Sequence, residues 1–203
     1  MSSTHRKSLK RCPWAGIADA EYQRYHDEEW GVPLTDDRAL FEKLALEGFQ
    51  AGLSWLTILI KRPNFRRAFA GFAPERVARF GPRDIARLMK DEGIVRNCAK
   101  IEATISNAQV YARLAERTSL GEFLWGFLDA GPIQNRYKAM ADVPAQTELS
   151  RRMSKALKAE GFRFVGPTTL YAFMQSVGMV NDHLVDCHRH TPCAKLQRSR
   201  SIH

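Results

Sequence analysis

Apolar residues recur at spacings of three and four along most of the chain, and this periodicity constrains the fold more than any other feature. It demands helices. Asp36 and Asp37 offer an N-cap, after which Leu40, Leu44 and Phe41 line one face. Pro63 is expected to interrupt the next apolar stretch, with Phe65, Phe69 and Phe72 following at helical spacing. Pro74 and Pro82 suit the first turns of two short helices, the second carrying Ile85, Leu88 and Met89 up to Gly93. A longer helix is predicted from about 97 to 117, with Ile101, Ile105 and Ala108 inward and Cys98 as a small buried hydrophobe. Ser119 can cap a helix holding Phe123 and Phe127, and residues 131–145 look irregular. Leu149, Met153 and Leu157 mark a helix ending at Gly161, and residues 168–177 form the next. No segment alternates as a strand would, and nothing repeats internally. The expected fold class is all-α.

A chain of 203 residues suits one domain able to bury a core without disulfides. We place that domain at 11–190, with a flexible basic tail over 1–10 and a disordered tail over 191–203. The longest apolar run, Leu53 to Ile60, is too short to cross a bilayer, and no apolar segment follows the basic N-terminus as in a secretory signal. A cytoplasmic protein without membrane attachment, acting as a monomer, is expected. The formal charge of +9 favours a polyanionic partner such as nucleic acid, although part of the excess sits in the two ends.

Four cysteines are too few for a disulfide scaffold of this size and read better as buried thiols or metal ligands. His183 and Cys187 stand four apart, which on a helix brings both side chains to one face. Imidazole and thiolate are the usual ligands of zinc, and Cys12 and His26 near the other end supply a matching pair. His188, His190 and Cys193 compete on spacing alone. Four protein ligands would close a structural site, pinning about 11–30 to about 180–190.

Three of the four tryptophans fall within the first 55 residues. Trp14, Tyr22, Tyr25, Trp30 and Trp55 are interleaved with carboxylates, of which Glu28 and Glu29 read as solvent-facing. Glu47 differs, because it sits at an otherwise apolar helix end beside Gly48. A carboxylate there, walled by Trp14, Tyr25 and Trp55, would make a receptor for a flat, electron-poor ring.

Several stretches together resemble the bacterial 3-methyladenine DNA glycosylase I family. They are Arg11 to Trp14, Tyr25 to Pro33, Leu46 to Trp55, Gly93 to Asn97, Gly161 to Gly166 and Val180 to His183, in family order across about residues 11 to 187. The resemblance implies a helix-hairpin-helix fold, with Gly161, Val165 and Gly166 offering backbone N–H groups to a DNA phosphate. It implies zinc ligation by Cys12, His26, His183 and Cys187. It assigns base binding to Trp14, Tyr25, Trp30, Glu47 and Trp55, with Glu47 as the catalytic carboxylate, and makes Gly52 and Leu53 the wedge that fills the gap left by an extruded nucleotide. Phe49 departs from the family, which often has a polar residue there. Cys98-Ala99 departs too, where a basic, glycine-containing pair is common.

The implied activity is monofunctional hydrolysis of the N-glycosidic bond of 3-methyladenine in duplex DNA, releasing the free base. No lysine falls within the matched pocket motifs, which argues against Schiff-base chemistry with strand cleavage. Two other classes stay open: a bifunctional glycosylase/lyase, and a zinc-stabilised DNA-binding module without catalysis. Asp182, beside a ligand in the matched motifs, is a candidate for an auxiliary role.

Overall fold

In a computed structural model describing residues 9–16 and 19–199, Asp36 and Ser119 cap helices as expected, and other polar residues do the same. Asp19 accepts from the Tyr22 amide and starts helix α1 (Ala20–Glu28), and Asp36 accepts from Ala39 to start α2 (Asp37–Gln50). Ser54 starts α3 (Trp55–Ala68). Two proline-initiated helices follow, α4 (Pro74–Val77) and α5 (Pro82–Lys90). Asn97 caps α6 (Cys98–Leu114) and Ser119 caps α7 (Leu120–Trp125) through a capping box. Thr147 caps α8 (Glu148–Glu160), and Pro167 opens α9 (Pro167–Ser176).

Helix α2 is the axis of the molecule and packs against α3, α6, α7 and α9. Its buried face meets a column of stacked and tilted rings from Phe49, Phe65, Phe69 and Phe72. Phe49 is 1% exposed, so its departure from the family serves the core. No described helix is long and apolar enough to cross a membrane.

Five expectations need correction. Helix α3 runs through Pro63, which lies on its exposed side. Cys98 is exposed at the first residue of α6 and is not a buried hydrophobe. The all-α expectation misses a two-residue parallel pairing between β1 (Ile133–Gln134) and β2 (Val180–Asn181). Residues 191–199 are not a disordered tail but most of α10 (His190–Ser199), which buries Cys193, Ala194 and Gln197. Gln197 holds the helix down by donating to the Gly31 carbonyl at 2.8 Å. Glu29 is not simply solvent-facing, since it forms a two-pronged ion pair with buried Arg62 at 2.5 and 2.9 Å.

The basic tail expected over 1–10 lies mostly outside the described residues. Lys10 is described and tied down: its side chain pairs with Asp186, and its carbonyl accepts from the His188 amide at 2.8 Å. Residues 200–203 of the expected C-terminal tail also lie outside the described residues.

Candidate active site and metal centre

The two ends of the chain meet at a cluster of four buried side chains. Cys12, His26, His183 and Cys187 bring their ligand atoms within 4.8 Å of one another. Cys187 Sγ lies 3.4 Å from His26 Nε2 and 3.6 Å from His183 Nδ1, and Cys12 Sγ lies 3.8 Å from His183 Nδ1. A tetrahedral zinc with bonds of about 2.0 Å to nitrogen and 2.3 Å to sulfur sets its ligand atoms roughly 3.3–3.8 Å apart, so the cluster fits such an ion. The outer ring nitrogens are already engaged: His183 Nε2 donates to the Trp30 carbonyl at 3.0 Å, and His26 Nδ1 to Asp27 at 2.8 Å. Asp27 is fixed in turn by Arg11. These outer contacts leave one nitrogen of each ring for the ion. Hydrogen bonding with Cys12, and then with both imidazoles, holds the Cys187 thiol far below its ordinary value, toward the thiolate that binds metal. His188, His190 and Cys193, equal competitors on spacing, lie outside the cluster. His188 and His190 turn to the Lys10 and Asn135 carbonyls, and Cys193 to Arg189.

Next to this corner, sharing Trp30 with it, opens a cavity of about 270 Å³. At about 30 Å³ per water that is roughly nine waters, the scale of a flat two-ring base. Its walls are aromatic. Trp14 is 5.0 Å from Trp30 and 5.1 Å from Tyr22 between ring centroids, and Tyr25 is 5.4 Å from Trp55. Among the described residues nothing accepts from the buried Trp55 indole N–H, a donor left over in a residue that lines the cavity. All five residues expected to bind base therefore share one cavity: Trp14, Tyr25, Trp30, Glu47 and Trp55.

Glu47 projects from the last turns of α2 and is 4% exposed. Burial lifts its carboxyl to about 7, against the downward pull of Lys43 and the Ser176 hydroxyl. Burial, and then the Glu47 charge, push the Tyr25 phenol well above its ordinary value, so it stays a neutral donor. Asp182 also lines the cavity, but three donors already hold its carboxylate: Tyr171 at 2.6 Å, Gln175 at 2.8 Å and Asn135 at 2.6 Å.

Sequence reasoning missed other members of this site. Met140 and Val143 reach the cavity from the 131–145 segment, which the pattern marks only as irregular, and Gln175 reaches it from α9. Lys43 escaped because it lies between the matched motifs. It is 8% exposed, with its ammonium 4.8 Å from the Tyr25 ring centroid and 5.4 Å from that of Trp55. Its signal was the Lys43–Glu47 spacing of four on one helix.

The expected wedge is the turn between α2 and α3. Gly52 has φ +81°, a conformation glycine adopts at little cost, and Leu53 is 42% exposed beside it. Lys100 holds this turn by donating to the Phe49 and Ala51 carbonyls at 2.8 and 2.6 Å. The hairpin between α8 and α9 begins at Gly161, whose φ of +102° ends α8, and closes at Gly166. Gly166 has φ −64° with open space where a Cβ would stand. The Val165 side chain points into the core, at 1% exposed, so only its backbone is available to an outside partner.

Comparison with known proteins agrees with this architecture. The sequence profile of the methyladenine glycosylase family matches residues 14–190. DNA-3-methyladenine glycosylase of Haemophilus influenzae is 47% identical over 184 residues, covering 90% of this chain and 97% of that protein. A crystal structure of 3-methyladenine DNA glycosylase I superposes with a TM-score of 0.87 at 45% identity, covering 89% of this chain and all of the other. A second, of a variant in complex with 3-methyladenine, superposes with a TM-score of 0.84 at 40% identity, covering 88% and 96%. With its helical core, aromatic cavity and four-residue cluster in place, the chain belongs to the methyladenine glycosylase family.

Proposed function

We propose that the protein is a DNA-3-methyladenine glycosylase of base-excision repair, acting as a monomer on alkylated duplex DNA. The observation that carries this reading is a buried carboxylate, Glu47, set in an aromatic cavity of the size of one base. A glycosidic bond is inaccessible inside a stacked duplex, so the nucleotide must be turned out into such a cavity. Leu53 and Gly52, exposed at the α2–α3 turn, would fill the gap it leaves. Backbone N–H groups of the Gly161–Gly166 hairpin would hold a neighbouring phosphate.

Methylation at N3 makes adenine cationic and a good leaving group, so the site can rely on recognition more than on catalytic force. Tyr25 and Trp55 favour a cationic ring over neutral adenine. Glu47 accepts a hydrogen bond from the base edge and complements its charge as water attacks the sugar. The abasic site and free base are the products.

The four-residue cluster would hold one zinc ion. With every coordination position taken by protein, the ion would supply structural cross-linking of the termini and no chemistry at the base. Incubation with methylated duplex, followed by identification of the released base and a test for strand nicking, decides the reading. Free 3-methyladenine with intact strands is expected. Binding without release, or release accompanied by nicking, would replace it with one of the other two classes.

A further inference from the structure

Lys43 has no part in base recognition itself, yet a buried ammonium is costly to fold around. It sits on α2 one turn before Glu47 and rests on the rings of Tyr25 and Trp55. Those rings line the cavity and Lys43 does not, so it acts on a bound base only through its neighbours.

The charged surroundings of the pair are asymmetric. Around Lys43 stand Glu42 on its own helix, Glu29 just past α1, and Arg62 on α3. Around Glu47 stand Lys43 on α2, the Ser176 hydroxyl on α9, and the Tyr22 and Tyr25 phenols on α1. Asp182 shares the cavity, with its own three donors. Lys43, one turn before Glu47 on α2 and packed on the Tyr25 and Trp55 rings, is therefore the cation acting on Glu47, while Glu29 and Glu42 act on Lys43 itself.

We propose that Lys43 is a positioning residue for excision: its ammonium, held against the Tyr25 and Trp55 rings, favours the ionised form of Glu47 in the empty cavity. This rests on the assignment of Glu47 to base recognition. The direction of each interaction agrees, since Lys43 lowers the Glu47 carboxyl against the rise imposed by burial. A cationic base arriving in the cavity then meets an anion, where an uncompensated buried carboxyl would hold its proton and offer a weaker acceptor. The buried, downward-shifted lysine is also the chemistry a lyase would use, but the two rings separate this amine from the cavity.

The test is the pH profile of single-turnover excision in wild type and in Lys43→Met, which keeps length and removes charge. It is paired with a carbon-13 NMR titration of the Glu47 carboxyl. Lys43→Leu serves as a second variant, and metal content with a cooperative thermal transition certifies that each has folded. The expected result is that the Glu47 titration and the acid limb of excision both move up by at least about one pH unit. Excision should then fall about tenfold at a pH below both midpoints and recover as pH rises. A structural role alone would lower the rate equally at every pH, and that outcome overturns the proposal, as does an unmoved titration. Borohydride trapping of wild type that is lost in Lys43→Met also overturns it, because Lys43 would then be a nucleophile. Glu47→Gln separates the two readings. If it leaves excision unchanged, the assignment of Glu47 fails; if it slows excision while Lys43→Met leaves the Glu47 titration unmoved, only the Lys43 proposal fails.

Discussion

The Cys/His corner and the aromatic cavity meet at Trp30 and at Trp14, which lines the cavity and packs against His26 at 5.1 Å. The Trp30 carbonyl accepts from His183, and its ring lines the cavity while packing edge-on against the same imidazole at 4.6 Å. Both regions bury ionisable groups among aromatic rings, at a cost that only partners can offset. At the corner the partners close on themselves: two thiols, two imidazoles, and Asp27 and Trp30 behind the rings. In the cavity they do not. Burial lifts the Glu47 carboxyl to about 7, and among the described residues nothing accepts from the Trp55 indole N–H. The contrast suggests that closed polar clusters here serve stability, and the incomplete one waits for a ligand.

The corner should break most severely. Removing the ion with a chelator, or substituting Cys187→Ser, takes away a ligand that closes the cluster and leaves buried polar groups unpaired. Because loss of a structural metal belongs to the largest class of single-site effects, we expect a loss of more than about 4 kcal/mol. Metal analysis should find one zinc per chain in wild type and none in the variant, with a large fall in the thermal unfolding midpoint. A variant that keeps its midpoint would show that protein contacts alone hold the corner, and the contrast with the cavity would collapse.

Glu47→Gln sharpens the comparison because its effects should run in opposite directions. The folded-state carboxyl lies above its ordinary value of 4.5, at about 7, so the native protein holds this proton more tightly than the unfolded chain. Ionising Glu47 therefore costs stability, fully above pH 7 and not at all below about pH 4.5. The value of about 7 already includes the attraction of Lys43. Substitution by a neutral isostere should remove that cost, stabilising the fold at pH 8 by up to about 3 kcal/mol, with the gain vanishing as pH falls. Excision should slow by roughly tenfold as the charged acceptor is lost. Thermal unfolding at pH 5 and pH 8 with single-turnover excision measures both. A less stable variant with an unchanged rate would make Glu47 a structural group like those at the corner.

The difference between the regions also decides what the sequence could reveal. Caps were legible because they are local: Asp36, Asn97 and Ser119 each bond an amide three residues on. The members of the Cys/His cluster were legible as types, but not as a set, because spacing cannot say that His188 and His190 turn to the Lys10 and Asn135 carbonyls. The cavity's aromatic side was legible from the cluster of tryptophans and tyrosines. Its lysine was not, because lysines default to the surface and only the meeting of α1, α2 and α3 buries Lys43. Helix α10 escaped for a similar reason. Its charged composition reads as a tail, and what holds it is Gln197 bonding to the Gly31 carbonyl, 166 positions away.

The smallest effect should come from the hairpin, which touches neither region. Gly161 and Gly166 bracket it but carry different constraints. At φ +102° Gly161 is in a conformation that side chains rarely adopt, so substitution there would strain the fold and report little about DNA. Gly166 has φ −64° and open space where a Cβ would stand, so Gly166→Leu fits the isolated protein without strain. The added side chain would obstruct only something arriving from outside. If that something is a DNA phosphate approaching the hairpin amides, duplex affinity should fall by about 1 kcal/mol, roughly fivefold. Damaged and undamaged duplex should weaken alike, because a phosphate contact carries no information about the base. Zinc content, thermal stability and affinity for free 3-methyladenine should stay as in wild type. Wild-type duplex affinity should also fall steeply as salt rises, as expected when phosphate contacts release counterions. Titrations of both proteins against damaged and undamaged duplex at two salt concentrations measure all of this. Equal affinities for wild type and Gly166→Leu would move the DNA-binding face away from the hairpin.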